Sequence, residues 1–154
     1  MSLEKMFYLL KAAEGEAAEF YDQIRLDLAV KNPDLSDFFA ELVQDERMHE
    51  KQVTLLQSIF LGSKEAFLER EGAERQMAEY LESFAETRRR YERERDSLDM
   101  GGLLRLALSL EQSLLEKHRT FFLEVTDPQV RQLLGTLNLA DEYHLKRITE
   151  LLPG

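Results

Sequence analysis

Apolar residues recur along this chain at alternating intervals of three and four, the spacing that places them on one face of a helix. Four segments carry the pattern: residues 3–30, 33–60, 103–125 and 128–152. The first stops before Asn32-Pro33, a breaker pair, and the second opens on Pro33 or Asp34, proline being acceptable in a first helical turn. The third follows Met100-Gly101-Gly102, and Thr126-Asp127-Pro128 caps the fourth, which ends before Pro153-Gly154. Between the pairs, residues 63–99 keep a weaker helical spacing through Phe67, Met77, Tyr80, Leu81 and Phe84. Part of this crossover is therefore expected to be helical and packed. Its later part, Arg88 to Asp96, mixes charges around the single aromatic Tyr91 and reads as a solvated helix with i,i+4 ion pairs. The expectation is one all-α domain over 1–154: a helix pair over 3–60, a partly helical crossover over 63–99 and a second pair over 103–152. A crossover of that length lets the third long helix run parallel to the second, as in single-crossover four-helix bundles.

The two halves repeat. Leu10, Glu14, Ala17, Tyr21 and Ile24 match Ala107, Glu111, Leu114, His118 and Phe121, and Leu42, Glu46, His49, Val53 and Leu56 match Leu137, Asp141, His144, Ile148 and Leu151. Two copies point to a pseudo-twofold bundle.

Each apolar seam is interrupted by an acid. The seams read Leu10, Glu14, Ala17, Tyr21, Ile24, Leu28; Leu35, Phe39, Leu42, Glu46, His49, Val53, Leu56, Phe60; Leu104, Ala107, Glu111, Leu114, His118, Phe121; and Val130, Leu134, Leu137, Asp141, His144, Ile148, Leu151. All three histidines lie on them, and no Lys or Arg does. A buried carboxylate must be protonated, paired or bound to a cation. Four carboxylates match the charge of two divalent ions, and oxygen and imidazole donors without sulfur suit iron or manganese, or zinc. Glu46-x-x-His49 and Asp141-x-x-His144 set an acid and an imidazole one turn apart on one face, so that the acid can bridge two ions while the imidazole caps one. A single Glu-x-x-His is a weak signal, but two at repeat-related positions, with one seam glutamate on each remaining helix, is a strong one. The competing reading is a metal-free polar layer of protonated acids and hydrogen-bonded histidines. His118 lacks an acid three residues before it and reads as a core or supporting residue, and Tyr21 reads as core.

Composition narrows the chemistry further. The 154 residues have 30 acidic against 20 basic side chains, a net charge of −10, which disfavours nucleic acid and anionic membrane surfaces as partners. With no cysteine, thiolate metal sites, iron–sulfur clusters and thiol nucleophiles are excluded. No apolar run approaches the ~20 residues of a membrane span, and the N-terminal stretch is too soon acidic for a secretory signal. A cytoplasmic protein is the expectation.

On the stretches Ala13-Glu14…Ala17…Phe20-Tyr21, Asp45-Glu46-Arg47-Met48-His49, Leu110-Glu111 and Ala140-Asp141-Glu142-Tyr143-His144, the sequence resembles the rubrerythrin branch of the ferritin-like di-iron carboxylate proteins. The resemblance covers the four bundle segments and not the crossover. It implies a ferritin-like bundle holding two iron ions, with Glu14 and Glu111 as terminal carboxylates, Glu46 and Asp141 as bridging acids, and His49 and His144 as imidazole ligands. It further implies an oxidoreductase that reduces peroxide or oxygen, working as a homo-oligomer, a dimer. Asp141 stands one methylene short of the family's glutamate, and Leu114 replaces a further family carboxylate. The cysteine-rich rubredoxin module of full rubrerythrins has no counterpart, so the electron donor is expected to be external. Iron binding or storage with ferroxidation, and a helical bundle with a degenerate metal site, are the alternative functions.

Overall fold

The computed structural model describes residues 3–67, 71–122 and 126–153, and the side chains of all of these except 66, 73, 115–122, 137 and 138. The described chain is helical: α1 (Leu3–Leu28), α2 (Pro33–Gly62), a short 3-10 turn (Lys64–Ala66), α3 (Ala73–Glu94), α4 (Met100–Phe122) and α5 (Pro128–Leu151). None of the described helices is long and apolar enough to cross a membrane. The chain divides into two compact units, Ser2–Lys64 and Glu65–Gly154.

Local chemistry sets the helix ends. Asn32 Oδ1 accepts a hydrogen bond from the Leu35 N–H at 3.2 Å and caps α2, with Pro33 in its first turn. Asp127 does the same for α5, accepting from the N–H groups of Gln129 and Val130 at 2.9 and 3.1 Å. The sequence places the start of α4 after Gly101-Gly102, but the helix begins at Met100. Asp99 Oδ1 accepts from the Gly102 N–H at 2.7 Å, satisfying one of the donors that any helix start leaves open, and this cap offsets the poor helix propensity of the glycines.

In the first unit, α1 and α2 pack as an antiparallel hairpin. Phe7, near the start of α1, meets Phe60, near the end of α2, with ring centroids 5.3 Å apart. At the other end Tyr21 meets Phe39 at 5.8 Å, and Ser36 Oγ donates to the Arg25 carbonyl at 2.8 Å. All fourteen seam positions predicted for these two helices are buried. Each large side chain among them contributes on the order of 1.5–3 kcal/mol by leaving water.

In the second unit α4 packs against both α5 and α3. On α4, Leu104, Ala107, Glu111 and Leu114 are buried, as are Val130, Leu134, Asp141, His144 and Ile148 on α5. Leu151, expected on the seam, is instead 41% exposed at the last residue of α5. The predicted seam residues His118, Phe121 and Leu137 lie outside the described side chains.

Part of the crossover is helical, chiefly α3 over Ala73–Glu94, and its apolar residues pack as their spacing suggests: Phe67, Met77, Tyr80 and Phe84 are buried, while residues 68–70 lie outside the described ones. Leu81 is only half-buried. The reading of residues 88–96 needs correction at one position. Exposed ion pairs are present, with Arg89 on Glu86 at 2.7 Å and Arg90 on Glu94 at 3.1 Å, and Arg89, with a smaller effect from Arg93, holds the Glu86 carboxyl below its usual range. Yet Tyr91 is 2% exposed. Met77, Tyr80, Phe84 and Tyr91 follow a 3-4-7 spacing, so the apolar stripe of α3 continues through the charged run.

Candidate metal centre

The seam of the first unit brings Glu14 on α1 against Glu46 and His49 on α2. Glu46 and His49 are one turn apart and share a face, and α1 faces them with Glu14. Both carboxylates are fully buried and His49 nearly so. His49 Nδ1 lies 3.3 Å from Glu46 Oε2 and 3.6 Å from Glu14 Oε2. Burial by itself pushes the His49 imidazole towards its neutral form. The hydrogen bonds and charges of Glu14 and Glu46 outweigh that, and its pKa rises from 6.5 to about 10.

The second unit repeats the arrangement with Glu111 on α4 and Asp141 and His144 on α5. All three are buried, and His144 Nδ1 stands 3.4 Å from Glu111 Oε2. The shorter Asp141 side chain stays in the group: one ligand atom from each of Glu111, Asp141 and His144 lies within 4.8 Å of the others. The same limit holds for Glu14, Glu46 and His49. The residues between acid and imidazole point the other way, Met48 being 58% and Tyr143 55% exposed, with the Arg147 guanidinium over the Tyr143 ring.

These two groups hold all six residues named as ligands from the sequence, three in each unit. The donor set fits a divalent metal. Bonds of about 2.1 Å to oxygen or nitrogen put neighbouring ligand atoms roughly 3–4 Å apart, the spacing observed for the acid–imidazole pairs. Each group offers two carboxylates and one imidazole, hard to borderline donors that suit iron, manganese or zinc. Tyr21 is buried with its ring against Phe20 and Phe39, a core position as expected.

Sequence reasoning missed the outer edge of the first group. Gly15 directly follows Glu14 inside α1, at a cost of roughly 1 kcal/mol relative to alanine. A methyl group on it would lie 2.9 Å from Glu50 Oε2, and Glu50 directly follows His49. A helix-interior glycine beside a seam acid was the available signal.

No protein-family model, curated protein or solved structure matches this chain.

Proposed function

We propose that the chain is a di-metal carboxylate protein of the rubrerythrin type, an oxidoreductase that reduces peroxide or oxygen with electrons from an external donor. One observation carries this reading: a fully buried pair of carboxylates with an imidazole occurs twice, at repeat-related positions. Under this proposal the two helix pairs close as one ferritin-like bundle, and the six side chains hold two ions, iron by preference. Bound iron would supply the redox equivalents and the Lewis acidity that peroxide or oxygen reduction needs.

The chain's own residues have three tasks in this scheme. Glu14, Glu46, Glu111 and Asp141 neutralise the ions, which removes the cost of burying four acids. Their burial keeps bulk water from the reacting centre. His49 and His144 ligate as neutral imidazoles, so a proton held at His49 must leave as a cation enters. Asp141 favours this reading over a degenerate site, because it keeps its place beside Glu111 and His144.

The test is metal content together with a redox titration. Protein reconstituted anaerobically with ferrous iron is expected to hold close to two ions per chain and to consume one peroxide for each ferrous pair oxidised. Retention of no iron would leave only the metal-free polar layer. Iron retained but inert to peroxide would favour binding or storage.

A further inference from the structure

A second feature of the first unit lies on its outer side. A groove of about 410 Å³ runs between α1 and α2, lined among others by Lys11, Gly15, Glu16, Glu19, Arg47 and Glu50. Its floor at Gly15 has no side chain. The Glu50 carboxylate fills that place, with Oε2 2.9 Å from where a Cβ on residue 15 would sit, and it can do so only because residue 15 is glycine. Arg47 holds the same oxygen at 3.1 Å, and the Glu50 side chain keeps 27% of its exposure. Gly15 and Glu50 each directly follow a member of the buried group, Glu14 and His49. Where Gly15 and Glu50 meet across the α1–α2 seam, the contact is thus made by a partly exposed carboxylate tethered by Arg47.

Resting on the reading of Glu14, Glu46 and His49 as metal ligands, we propose that Gly15 and Glu50 form the entrance by which a divalent cation reaches them from the groove. A hydrated cation sheds water only as oxygen ligands replace it. Glu50 supplies the first such oxygen at the surface, and three groove carboxylates against two cationic side chains favour arrival of a positive ion. Arg47 keeps the carboxylate parked over Gly15 until a cation competes for it. Glu50 is a transfer group here and forms no part of the final ligand set.

The test uses the full chain after chelation, with cobalt(II) alone as probe, followed through its ligand-field absorption in a stopped-flow instrument. Glu50→Gln keeps the shape and removes the charge. It is expected to slow cobalt uptake by about tenfold, the scale of an electrostatic effect on entry, with unchanged final stoichiometry and melting temperature. Gly15→Ala, whose methyl displaces the carboxylate, should slow uptake likewise. Glu41→Gln, the same charge change at an exposed position of α2, should load at the unsubstituted rate. Uptake by Glu50→Gln at the unsubstituted rate, or equal slowing in Glu41→Gln, would overturn the entrance. A lowered stoichiometry in Glu50→Gln would overturn it too, by making Glu50 a ligand. If the unsubstituted chain takes up no cobalt, the reading of the ligand group itself falls, and the entrance with it.

Discussion

His49 Nδ1 stands 3.3 Å from Glu46 Oε2, one turn away on the same helix, and this pair is buried. The distance is within reach of a hydrogen bond when the imidazole carries a proton. It also suits two neighbouring ligands of one ion when it does not. Proton and metal therefore compete for the same imidazole, and the competition can be measured.

The His49 pKa is raised in the folded chain to about 10, against 6.5 as the ordinary value. Below pH 6.5 folded and unfolded states both hold the proton, and the stabilisation from this group is fully present. Between pH 6.5 and about 10 only the folded state holds it, so stability falls as pH rises. Chelated protein is accordingly expected to melt at progressively lower temperature across that window, by thermal denaturation at fixed ionic strength. Metal binding has the opposite dependence, because the proton must leave, so affinity for manganese or ferrous iron should rise with pH. At a hundredfold excess over its dissociation constant, the metal should add about 2.7 kcal/mol to stability. A melting temperature indifferent both to pH and to divalent metals would sink the competition.

Asp141→Glu tests the second group. If Asp141 faces a metal, the added methylene brings its carboxylate to the length of Glu46, and metal binding is kept or tightened with folding undisturbed. If Asp141 is only a hydrogen-bonded core acid, the longer side chain overpacks a closed layer at a cost of ~1–3 kcal/mol. His144→Ala is the companion change, expected to lower metal content while the chelated protein still folds. Calorimetry and metal analysis on both variants decide it: a destabilised Asp141→Glu with unaltered metal content in His144→Ala would remove the second group from the site.

Tyr91 separates packing from charge in α3. Tyr91→Ala leaves a cavity where a large ring was buried and should cost about 3 kcal/mol in urea denaturation. Arg90→Ala breaks the exposed pair with Glu94 and should change stability by no more than ~0.5 kcal/mol. Similar losses from the two substitutions would show that the ion pairs, and not the ring, hold this helix.

Helix existence, most of the buried face of α1, α2, α4 and α5 among the described side chains, and the six candidate ligands were legible in the sequence, because the helical period is local. Spacings of three and four assign Glu14 or His49 to a face whatever that face later meets, and Asn32-Pro33 and Asp127-Pro128 carry their own capping chemistry. Distances across helices are a different matter, since they depend on how close two backbones come. Only the tertiary structure decided that Asp141 still lies with Glu111 and His144, and that the Glu50 carboxylate lies over Gly15. Burial of Tyr91 within a charged run belongs to the same class. The ion pairs around it satisfy local rules, while the burial of its ring is a property of the folded chain. The start of α4 was misplaced for the converse reason, because one side chain–backbone hydrogen bond from Asp99 outweighs the average preference of two glycines.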